Sequence, residues 1–176
     1  MKTTWTWCAS LLVPLILAPV STASAHDPEV RLLAPIRQAT AHFHHIKTAQ
    51  VVGYAQFLDC VAEPGEGAMG IHFVHGELIS DTVLDPLLPE ALMYEPEPNG
   101  QLRLVGVEYI VFQAAWDAEH AEPPVLLGQQ FHLVPSPNRY DVPAFYELHA
   151  WVWKHNPSGL FNDWNLRVRC PKAPED

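Results

Sequence analysis

Apolar positions recur at helical spacing in the first third of the chain and at spacing two in the rest. Ile36, Ala39, Phe43 and Ile46 lie three, four and three residues apart, which lines one side of a helix. The spacing predicts a helix over about 35–53, closed by Gly53. A shorter helix precedes it, opened at Asp27-Pro28-Glu29 by a capping carboxylate, a proline at the first helical position and an early acid. Pro35 is expected to separate the two. A Pro/Gly loop, EPGEGAMG (63–70), follows, and the period then changes. Alternation predicts strands near 69–75, 91–95, 102–113, 125–134, 145–153 and 164–170. Turns are expected at Pro98-Asn99-Gly100 and Pro135-Ser136-Pro137-Asn138, and one helical turn at Asp85-Pro86. Helices first and strands afterwards favour an α+β domain over 26–176. The N-terminal helices would pack on a curved, mostly antiparallel sheet, or a partly closed barrel, of about six strands.

One strand carries an anomaly. In AFYELHAWVWKHNPSG (144–159), Tyr146, Leu148, Ala150 and Val152 form an ordinary apolar face. The other face mixes Phe145, Trp151 and Trp153 with Glu147 and His149. A carboxylate and an imidazole on an apolar strand face are costly to bury without partners.

The first 25 residues read as a secretory leader: Lys2, an apolar run from 8 to 20 broken by Pro14 and Pro19, and a small-x-small site at Ala23-Ser24-Ala25. The run is shorter than the ~20 apolar residues that span a bilayer. An exported protein, periplasmic or secreted and with no membrane anchor after cleavage, is the expectation. Beyond the leader, 9 basic residues face 20 acidic ones, the reverse of what nucleic acid or an anionic membrane surface attracts. Two cysteines remain, Cys60 and Cys170. In an oxidising compartment they pair most simply as a disulfide; a thiolate metal or redox site usually uses closer spacing.

Four stretches are familiar together: GAMGIHFV (67–74), PEALMYEP (89–96), RLVGVEYIV (103–111) and LHAWVWKHNPSGLFNDWN (148–165). With them the chain resembles a family of uncharacterised secreted bacterial hypothetical proteins, over most of its length. The resemblance implies export and carries no particular activity with it. Where that family's ending reads Asp-Trp-Asn-Pro, this chain has Leu166, so the last turn is expected to differ.

Within those stretches lie His72, Glu108 and His149, one on each of three predicted strands. Glu108 is expected to share its face with Leu102, Leu104, Gly106, Ile110 and Phe112, and His72 with Gly70 and Val74. Brought to one cavity, two imidazoles and a carboxylate can hold zinc, iron, manganese or copper and leave positions for water or substrate. Gly70 and Gly106 would leave room for the ligand. Glu147 would orient a ligand or water, with His75, His132 and Gln129 as further candidates. The alternative is a buried polar network that only fixes the fold. No HExxH motif, no GxSxG elbow and no phosphate-cradling glycine loop occurs.

Three weaker constellations complete the reading. His42, His44 and His45 crowd one helix, most simply as a solvated face. A new N-terminus at His26 would offer an amine and an imidazole, the chelate of a copper brace. Phe145, Trp116, Trp151, Trp153 and Trp164 could line a ligand pocket. The expected function is an exported metal-binding protein or metalloenzyme that takes a small-molecule ligand or substrate. Its rivals are a metal-free enzyme with Glu108 as general base and a non-catalytic small-ligand module lined by tryptophans.

Overall fold

The computed structural model describes residues 28–171; the expected leader, His26 and the capping residue Asp27 lie outside the described residues. Helix α1, Pro28–Thr40, runs through Pro35 instead of breaking there. Pro35 is on the exposed side, where water can take the carbonyl it leaves free, while Leu33 and Ile36 are buried on the other. The chain tightens into a 3-10 turn, Ala41–His44, and resumes as α2, Ile46–Val51. The buried stripe is therefore Leu33, Ile36, Thr40 and Phe43, and Ala39 is only half-buried.

In chain order there follow β1 (Tyr54–Gln56), β2 (Val61–Glu63), β3 (Gly67–His75), β4 (Ala91–Pro96), β5 (Leu102–Phe112), helix α3 (Gln113–Asp117), β6 (Val125–Leu126), β7 (Gln129–Gln130), β8 (His132–Val134) and β9 (Phe145–Ala150). A seven-stranded sheet runs β1-β3-β4-β5-β9-β8, with β2 also paired to β3. All its pairings are antiparallel. β8 does not pair with β1 or β2 among the described residues, so the sheet stays open and the barrel alternative falls.

Three expected strands need correction. The segment 125–134 is broken by a turn at Leu127 and Gly128, both at positive φ, so β6 and β7 form a separate hairpin and only 132–134 joins the sheet. β9 stops at Ala150, because the amides of Trp153 and Lys154 both donate to the Val105 carbonyl and turn the chain across β5. Residues 164–170 form no strand; the segment meets β3 through one bridge, Ala68 to Asn165. Asp85-Pro86 opens a β-turn instead of a helical turn: Asp85 accepts from the amides of Leu87 and Leu88.

The helices cover one face of the sheet. Leu33, Ile36 and Phe43 pack there with Phe73, Leu92, Tyr94, Val107, Tyr109 and Leu148. Three polar contacts hold the layers together: Arg37 Nε donates to the Val152 carbonyl, Trp153 Nε1 to Thr40 Oγ1, and the Tyr94 hydroxyl to the Phe43 carbonyl. Cys60 and Cys170 are disulfide-bonded, joining the bend before β2 to the C-terminal segment across 110 positions.

Two irregularities decide which side chains reach the opposite face. In β5 the pairing with β4 slips between Met93 and Tyr94, so Met93 opposes Gly106 while Tyr94 opposes Leu104. A slip of one residue reverses the facing. Leu104 and the half-buried Leu102 therefore join the helix-side core with Val107 and Tyr109, not the face of Glu108 as simple alternation predicts. In β3, Gly70 has φ +95. A Cβ there would lie 2.4 Å from the Tyr94 carbonyl oxygen, so this glycine serves close backbone packing and leaves no space for a ligand.

Candidate functional site

The strand register assembles the site on the face the helices leave uncovered. Val74, Ala91, Glu108 and His149 form one row across β3, β4, β5 and β9. His72, Met93 and Gly106 form the next. His72 and Glu108 are thus separated by the whole of β4. They meet because Ala91 offers only a methyl group between them and because Met93 lies back over Gly106. A Cβ at Gly106 would sit 2.4 Å from Met93 Cε, so that glycine makes room for a methionine, not for a ligand.

His72 Nε2 is 3.4 Å from Glu108 Oε2, and His149 Nε2 is 3.8 Å from Glu108 Oε1. The two imidazoles stand edge to face with centroids 5.9 Å apart. One ligand atom from each of the three residues lies within 4.8 Å of the others. Tetrahedral zinc with bonds of about 2.0–2.1 Å sets its ligand atoms about 3.3–3.4 Å apart, so a small inward movement suffices to close on an ion. The group could hold a metal.

Glu147, one step along β9, brings a second buried carboxyl group beside Glu108. Asp163 enters from the loop after β9. Its Oδ1 is 3.4 Å from His149 Nδ1 and its Oδ2 is 3.4 Å from Nδ1 of the exposed His132. Alternation gave no sign of Asp163, because it belongs to no strand. Its loop is built from asparagines: Asn156 Nδ2 donates to the Trp164 carbonyl and Trp151 Nε1 to that of Asn162, while Asn165 is fully buried beside β3. The run NPSGLFNDWN was legible as turn chemistry, but not as a side of the site.

His149 is completely buried, and neither ring nitrogen has an aligned hydrogen-bond partner; Asp163 Oδ1 is also unpartnered. An unmade hydrogen bond on a buried polar atom costs about 1–3 kcal/mol. The same elements shift the site's protonation in opposite directions. Burial, aided by the His149 charge, pushes His72 down to about 3. Burial also opposes the charge on His149, but Glu108, Asp163 and Glu147 outweigh it and lift that ring to about 9. Glu108 is pushed up to about 8, mainly by burial; Glu147 is raised by burial too. For Asp163, burial is outweighed by contact with His149, which lowers it.

Beside these groups opens a cavity of about 240 Å³. His72, Glu108 and Glu147 supply its polar end, and Met69, Ile110, Phe112, Tyr140, Val142 and Phe145 are among its apolar walls. Of the aromatics read as a pocket lining, only Phe145 lines this cavity. Trp151 is buried in a separate cluster with Met93 and Val105, Trp153 packs on His44, Trp116 stacks on His120, and Trp164 lies under Arg139. His75 is turned away, with Nε2 2.8 Å from the Val52 carbonyl oxygen. Gln129 is exposed on the hairpin, and the exposed His42, His44 and His45 join no metal-competent group among the described residues.

Among the described residues no helix is long and apolar enough to cross a membrane. No family model matches the sequence, and neither a curated protein nor a solved structure matches it at a significant level.

Proposed function

We propose that the protein binds one transition-metal ion through His72, Glu108 and His149, and that the ion presents its remaining positions to a small molecule in the adjoining cavity. The observation that carries this reading is the fully buried His149 with two unpartnered ring nitrogens among buried carboxylates. A dication at the Nε2 side would satisfy that nitrogen and offset the charges of Glu108 and Glu147. Asp163 would hold the ring from the Nδ1 side, as carboxylates commonly do for metal-bound histidines. When bound, such an ion supplies Lewis acidity and can lower the pKa of a bound water. Zinc, iron, manganese and copper all suit this donor set. Export fits both the disulfide and the resemblance to secreted bacterial proteins.

The test is metal content. Protein purified from an oxidising compartment should carry, or take up, one equivalent of metal. His72→Ala, Glu108→Gln and His149→Ala should each lose it while keeping the wild-type circular dichroism, and His44→Ala should keep it. Wild-type protein that takes up none of the four metals would sink the reading.

A second reading has its own observation. Glu108 and Glu147 are neighbouring carboxyl groups, both held above the usual carboxylate range by burial, at the end of an apolar cavity, an arrangement suited to metal-free acid and base work. It predicts that Glu147→Gln abolishes turnover in protein stripped of metal, whereas the metal reading predicts no turnover there to abolish.

A further inference from the structure

The cavity's walls restrict what the site can receive. Among the described residues no lysine or arginine lines it, and the only ionisable ones apart from Tyr140 are His72, Glu108 and Glu147, gathered at one end. An anionic ligand would meet two carboxyl groups on the cavity wall, and the His149 ring lies on the far side of Glu108's carboxyl, outside the lining. A cationic one would have to leave water for walls made of Ile110, Phe112, Val142 and Phe145. At about 240 Å³ the space exceeds the ~150 Å³ that takes a benzene ring and falls below the ~300–1,000 Å³ of ordinary ligand pockets. One ring with a small substituent, or an aliphatic chain of similar bulk, fits it.

We infer that the ligand is a small neutral alcohol or phenol, its apolar body among Phe112, Phe145 and Val142 and its hydroxyl directed at the His72, Glu108 and Glu147 end. The placement of the hydroxyl beside a metal rests on the proposed metal site; the choice of a neutral apolar body rests on the cavity alone. The hydroxyl has acceptors in both forms of the protein: the carboxyl oxygens without metal, and an open coordination position with it.

The probe is p-cresol, titrated into the full chain as purified, in metal-free and zinc-loaded forms, by calorimetry and ligand-observed NMR. Toluene and p-toluate serve as the matched apolar and anionic probes. The expected result is saturable 1:1 binding of p-cresol, with p-toluate at least about tenfold weaker in the metal-free form. Zinc loading should strengthen p-cresol relative to toluene. Val142→Trp and Ile79→Trp, each placed on a half-buried wall position, should abolish p-cresol binding and leave zinc stoichiometry unchanged. Absence of p-cresol binding in both forms, or binding of p-toluate equal to it in the metal-free form, would overturn the inference and leave the metal site standing. Binding of p-cresol by a chain that takes up no zinc would support the inference and remove the metal site.

Discussion

Asp163 and His149 face each other across 3.4 Å, from Oδ1 to Nδ1, on the edge of the ring opposite the one that meets Glu108. The imidazole is therefore held between a loop carboxylate and a strand carboxylate, each addressing a different nitrogen. Removing the loop partner should leave the metal-facing nitrogen in place but less well oriented and less basic. Asp163→Asn is expected to weaken metal affinity by ~10–100-fold with no loss of fold, measured by competition against a chelating dye. Unchanged affinity would remove Asp163 from the site.

Metal affinity should rise with pH. An ion must displace a proton from His149, which is lifted to about 9, and from Glu108, which is lifted to about 8. Below those values protons compete with the metal, so affinity climbs from neutral pH up to roughly pH 9 and binding releases protons. Calorimetry in buffers of different ionisation enthalpy reads that release directly. Affinity independent of pH across this range would contradict the assignment of ligands.

Glu90 supplies a test of stability away from the site. It is 1% exposed, and its Oε2 accepts from the Ile110 amide at 3.1 Å. Burial lifts its pKa from 4.5 to about 8. Between those values the folded chain holds a proton that the unfolded chain has lost. This contribution to stability is thus full below about pH 4.5, declines as pH rises through the window, and levels off above about 8. Glu90→Gln keeps an acceptor for Ile110 and removes the titration, so it should gain ~2–4 kcal/mol over wild type at pH 8 and little at pH 4.5. Urea melts at the two values decide it; parallel behaviour of the two proteins would contradict the buried, proton-holding state of Glu90.

Reduction of the disulfide bears on the C-terminal segment. With 110 positions between Cys60 and Cys170, the chain-entropy contribution is about 4–5 kcal/mol. Denatured, unreduced protein should show no free thiol, and Cys60→Ser with Cys170→Ser should lower stability by roughly that amount. Because Cys170 packs with Val168, Trp151 and Val105, local protection against hydrogen exchange should fall first around Val168. Two titratable thiols in freshly isolated protein would contradict the pairing.

Much of this was legible in the sequence wherever one face of an element is buried. Period two placed His72, Glu108 and His149 on three strands, and the open sheet brings all three together. Alternation could not show the slip at Met93, which moves Leu102 and Leu104 to the other side of β5, or the close backbone approach that Gly70 serves. Bulges depend on pairing partners, and those are non-local. Propensity makes Pro35 a break because it counts the lost hydrogen bond and not the burial of Leu33 and Ile36 that offsets it. Asp163 was invisible for a related reason: its place is set by Asn156, Asn165 and Trp151, whose contacts cross the fold.

The most direct test of the metal site is anomalous scattering from crystals of the metal-loaded protein, recorded on either side of the metal's absorption edge. The account predicts one peak between His72 Nε2, a Glu108 carboxylate oxygen and His149 Nε2, at about 2.0–2.2 Å from each if the metal is zinc, on the side that opens to the cavity of Phe112 and Phe145. A peak at His42 and His45, or no peak at these three residues in crystals soaked with excess metal, would contradict it.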